Sequence, residues 1–121
     1  MLTAGNTLLI RTPPNNKEHL FIIIAVQDCA ALLVNITTPK IGCDCSCCIN
    51  VGEHPFLQHN SVVNYGDASI RPMSNIEACL KNNIIKRNSP VSIPLLKKIQ
   101  HGAMISPDIP KKCRNFLCSV I

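Results

Sequence analysis

The stretch HLFIIIAV, residues 19–26, is the clearest indication of the fold because it is apolar on both faces of a strand and rich in branched side chains. Such a run is typical of a strand buried in the middle of a sheet. NTLLIRT at residues 6–12 precedes it across the turn sequence PPNN, and ALLVNIT at residues 31–37 follows it after a short polar break. The first part of the chain therefore predicts an antiparallel meander of three strands.

The middle of the chain predicts another strand and a short helix. Residues 61–71 have strand character that is interrupted at Gly66, which indicates a bulge. Ser74 and Glu77 have the spacing of a capping box, in which each side chain satisfies a free backbone N–H group. We therefore expect a short helix that ends near Lys81.

A second helix is predicted towards the C-terminal end. Ser92 can cap it, and Pro94 falls in its first turn, where the missing N–H group does no harm. Gly102 is expected to weaken its last turn. The expected architecture is mainly β with minor α: one domain over residues 1–105, with one C-terminal helix, and a basic tail or strap over residues 106–121.

The composition excludes several classes of protein. The longest apolar run, residues 20–26, is far shorter than the roughly 18 residues of a membrane span, so we expect no membrane contact. Residues 1–13 lack a secretory signal, which favours a cytoplasmic protein with reduced thiols. Only four aromatic residues occur, too few for a stacking platform that reads bases. The glycines form no phosphate-binding loop, and we expect no cofactor.

The charge is unevenly distributed. Residues 1–70 carry a net charge of −2, whereas residues 71–121 carry +7. A basic half is suited to phosphate backbones or to an acidic protein partner, and a plain solvated surface is the alternative. Lys97 and Lys98 are the candidate substrate-binding cations of this half.

Four cysteines lie close together in the middle of the sequence. They are Cys43, Cys45, Cys47 and Cys48. The C-x-x-C pair within them allows a zinc site, but alternate residues of a strand share one face, which suits a tetrahedral site poorly. The other interpretation is a loop of free thiols, and we expect no resident metal. Cys29 and Cys79 are expected to be buried as small apolar residues.

Three of the four histidines are candidate catalytic residues. His54 and His59 lie five residues apart beside Ser61, and His19 opens the central strand. Two imidazoles can act as base and acid in RNA transesterification, with hydroxyl groups such as that of Tyr65 donating to phosphate. The alternative is structural: His54 forms a loop corner and His59 helps to cap a turn.

The order of these features resembles the MazF/PemK group of toxins. The resemblance covers NTLLI at residues 6–10, HLFIII at 19–24, LLVNITT at 32–38, NSVV at 60–63 and the helix over 92–104. It implies a small SH3-like antiparallel barrel, metal-independent cleavage of single-stranded RNA, a homodimer and an acidic antitoxin-like partner. A second stretch, GEHPFLQHNSVVNY at 52–65, is similar to a pattern of small uncharacterised bacterial and phage proteins and implies no chemistry.

The MazF/PemK resemblance also implies a site. In that family an Arg before the second strand and a Ser or Thr at the end of the third strand surround the reacting phosphate. Here Thr37 and Thr38 match the hydroxyl pair, while His19 and Lys17 stand near the position of the Arg. The expected catalytic residues are His19, Thr37, Thr38, His59 and Ser61. The expected substrate-binding residues are Lys17, His54, Tyr65, Lys97 and Lys98. Because the Arg is replaced, a catalytically inactive module that binds protein or nucleic acid is the alternative function.

Overall fold

A computed structural model, which describes residues 1–121, contains six antiparallel strands in one curled, half-barrel sheet together with three helices. The strands are β1 (Thr7–Thr12), β2 (Lys17–Gln27), β3 (Ala30–Thr37), β4 (Cys48–Ile49), β5 (Ser61–Pro72) and β6 (Lys86–Asn88). The helices are α1 (Met73–Lys81), α2 (Ile93–Ile105) and α3 (Lys111–Val120). The strand order β4-β5-β3-β2-β1-β6 confirms the predicted meander and the mainly β class, and it leaves β4 and β6 at the edges.

Both faces of the sheet are covered, which explains why the central strand is apolar throughout. On one face Leu20 and Ile22 pack in a core with Ile99 of α2 and Leu117 of α3. On the other face Ile23 belongs to a smaller core with residues of α1. A strand buried on both faces cannot alternate between polar and apolar residues. Accordingly, β2 is apolar at every position from Leu20 to Ile23.

The bulge predicted near Gly66 is present. Asn35 of β3 pairs with Asn64 of β5, and Leu33 pairs with Ser69, so that residues 65–68 lie opposite Val34 alone. The extra residues leave Gly66 exposed. Tyr65 keeps the inward direction of Val63 and lies in the core beneath α2.

The helices agree with the sequence in part. The Ser92 hydroxyl accepts a hydrogen bond from the backbone N–H of Leu95 at 3.2 Å, which confirms the predicted cap of α2. The predicted capping box is wrong, because β5 runs directly into α1 and Pro72 is the capping residue without any side-chain bond. Ser74 lies inside the first turn instead.

The third helix was not expected. The sequence predicts a basic tail or strap over residues 106–121, but these residues contain α3. This helix buries Cys113 and Leu117 in the main core. These two residues are four apart and therefore share one helical face. None of the three helices is long and apolar enough to cross a membrane.

The burial expected for two cysteines is wrong. Cys29 is exposed and Cys79 is only half-buried. Asp28 and Cys29 both have positive φ angles, 52° and 63°, in the tight turn between β2 and β3. A two-residue hairpin turn of this kind projects from the end of a sheet, so the thiol of Cys29 meets solvent.

Candidate functional site

A cavity of about 690 Å³ lies where β2 begins and β3 ends, and it is walled by residues 55–59. Six of the residues expected at the site line it: Lys17, His19, Thr37, Thr38, His59 and Ser61. The strand register brings them together. Phe21 pairs with Asn35 in the antiparallel β2–β3 ladder, so continuing that ladder by two residues sets His19 beside Thr37.

The hydrogen bonds of the cavity fix the loop that carries His59. The exposed His59 ring uses Nδ1 with the carbonyl oxygen of Asn60 at 2.9 Å, which leaves Nε2 for another partner. The Ser61 hydroxyl donates to the carbonyl oxygen of His59 at 3.1 Å and is almost fully buried. Ser61 therefore holds the backbone next to His59, and its only hydroxyl proton is already committed.

His54 lies outside the cavity and is buried. Its Nδ1 accepts from the backbone N–H of Phe56 at 3.1 Å, and its Nε2 lies 2.6 Å from the carbonyl oxygen of Ser89. Because Nδ1 accepts, Nε2 must donate, so the ring is a neutral imidazole with both nitrogens occupied. It cannot bind a substrate as expected, and instead it joins the cavity wall to the segment after β6.

Tyr65 is also not free to bind a substrate. It is fully buried, and its hydroxyl donates to the carbonyl oxygen of Ile99 in α2 at 2.6 Å. Burial raises the pKa of Tyr65 above its ordinary range, because the phenolate would lose its solvation. Its function is to fix α2 against β5.

Lys97 and Lys98 lie on the exposed side of α2 and do not line the cavity. The Lys98 Nζ atom is 3.3 Å from Glu53 Oε1, an ion pair at the surface. A hydrogen bond from the backbone N–H of Asn50, together with Lys98, lowers the pKa of Glu53. These two lysines therefore lie outside the cavity that holds His19.

The four clustered cysteines do not converge. Cys47 is buried in the core, and this burial raises the pKa of its thiol. Cys43 and Cys45 lie in the loop with their sulfur atoms 3.6 Å apart, and Cys48 is exposed at the sheet edge. No group of three or more His, Cys, Asp or Glu side chains has the arrangement of a metal site.

A second cavity of about 510 Å³ adjoins the first and shares Lys17, His19 and Thr37 with it. It adds eight polar or charged residues that are not among the expected site residues: Thr12, Asn15, Asn35, Lys40, Asn64, Asp67, Ser69 and Arg71. The signal that could have revealed it is Asn35, a lone polar residue within an otherwise apolar strand, two positions before Thr37 and therefore on the same face.

Fold and cavity together define a small, mainly β protein with two imidazoles, hydroxyl groups, the ammonium group of Lys17 and the carboxylate of Glu18 around one open, polar cleft. Comparisons with models of known families, with curated proteins and with solved structures give no match to this chain. A fold alone does not determine a function, so the function must follow from the chemistry of the cleft.

Proposed function

We propose that the protein is a MazF/PemK-like toxin, with an SH3-like arrangement of its half-barrel, that cleaves single-stranded RNA without a metal ion. The observation that supports this proposal is the shared cavity of His19, His59, Thr37, Thr38 and Lys17. The proposal includes a cytoplasmic homodimer and an acidic antitoxin-like protein partner.

The reaction needs proton transfer at two oxygen atoms. One imidazole removes the proton from the ribose 2′-hydroxyl, whose oxygen attacks the adjacent phosphorus. The other imidazole gives a proton to the departing 5′-oxygen, which leaves a 2′,3′-cyclic phosphate on the upstream fragment. His19 and His59 are the two imidazoles of the cavity, and general acid and base groups contribute roughly 10²- to 10⁴-fold each.

The pentavalent intermediate carries extra negative charge on its phosphate oxygens. The ammonium group of Lys17 and the hydroxyl groups of Thr37 and Thr38 are the cavity groups that can stabilise it. In this proposal Lys17 takes the part that an Arg has in the resembled family. A lysine gives a point charge rather than a two-pronged contact, so the reaction is expected to be slow.

A second candidate is the catalytically inactive binding module. It is favoured by the hydrogen bond that commits the Ser61 hydroxyl to the His59 carbonyl, and by the absence of an arginine from the cavity. In that case the cleft holds RNA or a protein partner without cutting it.

The test is incubation of the purified protein with a mixed-sequence single-stranded RNA in the presence of a chelator. Fragments that end in 2′,3′-cyclic phosphate support the nuclease, and His19→Ala and His59→Ala should each lower their rate at least about 100-fold. His101→Ala is the matched control, because His101 is exposed on α2 and outside the cavity. Intact RNA with salt-sensitive binding would favour the module, and a rate unchanged in both cavity variants would refute the site.

A further inference from the structure

The second cavity extends the site along the sheet. Phe21 and Asn35 are directly paired on neighbouring strands, and both line this cavity beside His19. The face of the sheet that carries Phe21 and Asn35 is covered by α1 at the end away from this cavity. The groove is therefore the part of this face that no helix covers, and we call it the Asn35 groove.

Asn35 carries the clearest sign of a missing partner. The residue is 8% exposed, and Oδ1 is buried without any hydrogen-bond partner. A buried polar atom without a partner costs free energy, and such atoms are rare in native proteins. The terminal torsion of an asparagine is soft, so the amide can turn Oδ1 towards an N–H group that enters the groove.

The ring of Phe21 gives the groove an apolar surface. Phe21 is half-buried and lies opposite Asn35 in the ladder, so a flat ligand that rests on the ring comes within reach of the amide. Recognition of single-stranded RNA commonly uses this combination, in which a base stacks on an aromatic ring while its edge is hydrogen-bonded. One ring is enough for one base.

The charge of the groove suits a phosphate backbone. Lys17, Lys40 and Arg71 line it, against the single carboxylate of Asp67. Asp67 already accepts a hydrogen bond from the Asn64 side chain at 2.9 Å. The only salt bridge in the structure is Lys98–Glu53, so none of the three cations of the groove is paired with a carboxylate. Arg71 Nε donates one long hydrogen bond, of 3.4 Å, to Ser69 Oγ.

We propose that the Asn35 groove is a nucleotide subsite, in which one RNA base stacks on Phe21 and donates an N–H group to Asn35, while Arg71 and Lys40 contact the adjoining phosphates. This proposal rests on the proposed function only in that RNA is the ligand. It goes beyond it by naming a base-selective position next to the reacting phosphate. An acidic polypeptide without aromatic residues, such as poly-glutamate, has the charge but not the flat ring, and is the alternative that the test excludes.

The test is binding of 2′-O-methyl oligonucleotides of about ten residues, one for each base, which cannot be cleaved because the attacking hydroxyl is blocked. We expect the wild-type protein to prefer one base. Asn35→Leu should lose this preference and bind the preferred oligonucleotide at least 10-fold more weakly, while it unfolds at the same or a higher temperature because the unpaired amide is gone. A purely structural asparagine would not separate binding from stability in this way.

A charge variant tests the phosphate contacts. Arg71→Gln should weaken binding of all four oligonucleotides and reduce the slope of log affinity against log salt by about 0.7, the value for one contact to a single strand. Lys111→Gln is the matched control, since Lys111 is exposed on α3 outside the groove.

The outcomes separate this proposal from the nuclease. Base-selective binding that requires Asn35, without any RNA cleavage by the wild-type protein, would support the groove and refute the nuclease. Cleavage with unchanged binding in both variants would refute the groove alone. Binding of poly-glutamate in place of all four oligonucleotides would overturn the groove as a nucleotide subsite.

Discussion

Replacing Gly102 by alanine should destabilise the protein, although helix propensity alone predicts a gain of about 1 kcal/mol. A Cβ atom at position 102 would lie 2.9 Å from Cys47 Cβ and 3.1 Å from the carbonyl oxygen of Ser46, and it would overlap the hydroxyl of Tyr65. That hydroxyl cannot move freely, because it is bonded to the carbonyl oxygen of Ile99 at 2.6 Å. The methyl group therefore overpacks the contact between α2 and the sheet and also breaks this hydrogen bond.

The expected cost follows from these opposing effects. Overpacking costs about 1–3 kcal/mol and the loss of the hydrogen bond about 1 kcal/mol, against about 1 kcal/mol gained from propensity. The net loss is about 2 kcal/mol, which for a domain of this size lowers the melting temperature by about 8 °C.

The assay is denaturant and thermal unfolding of Gly102→Ala, Tyr65→Phe and the double variant. Tyr65→Phe alone should lose about 1 kcal/mol with its hydrogen bond. It also removes the atom nearest to the new methyl group, so the double variant should be more stable than the sum of the single losses by about 1 kcal/mol. A Gly102→Ala protein that is more stable than the wild type, or two losses that simply add, would refute the packing argument.

Two further changes test local anchors. Ser92→Ala removes the hydroxyl that accepts from the Leu95 N–H group and should cost about 1 kcal/mol in urea unfolding, whereas Ser74→Ala, at the serine that does not cap α1, should stay within about 0.5 kcal/mol of the wild type. Burial raises the pKa of Asp44, but hydrogen bonds from side chains that include Ser106 outweigh it and hold the pKa below its ordinary value. A carboxyl group whose pKa is lower in the folded than in the unfolded state stabilises the fold above about pH 4 and loses this contribution as the pH falls through the folded pKa. The urea midpoint of Asp44→Asn should therefore be below that of the wild type at pH 6 and fall less between pH 5 and pH 2, and equal pH dependence of the two proteins would count against this anchor.

Local sequence patterns predict the structure correctly where that structure depends on residues that are close together in the sequence. The β2–β3 hairpin, the bulge at Gly66 and the cap at Ser92 all follow from a few adjacent residues. The capping box at Ser74 failed because β5 continues to Pro72 and leaves no separate capping residue before the helix. A pattern of side chains permits a cap, but the path of the chain decides whether it forms.

Sequence patterns did not predict which side chains are buried by residues that are distant in the sequence. An isolated ten-residue helix is marginal in water, and α3 depends on the docking of Cys113 and Leu117 into a core built by distant strands. The same long-range packing encloses His54 and Tyr65, whose residue types alone suggested accessible chemistry. The error for Asn35 is the reverse: the sequence pattern assigns this residue of the groove to the core, because the residues on either side of it in the sequence are apolar.

The bulge in β5 connects the core to the Asn35 groove. Before it, Val63 and Tyr65 face the main core; after it, Ala68 and Ile70 do so, so the inward positions change from odd to even numbers. A regular strand of the same residues, without the bulge, would keep its alternation. It would then send Ser69 and Arg71 into the core and Ala68 and Ile70 into the groove.

The bulge therefore allows one strand to supply apolar residues to the core and polar residues to the groove at both of its ends. Asn64 faces the groove before the bulge, and Ser69 and Arg71 face it afterwards. β-bulges commonly re-aim side chains next to functional sites. The irregularity at Gly66 is thus the feature of the chain that gives the groove its cation from β5 without placing a charge in the core.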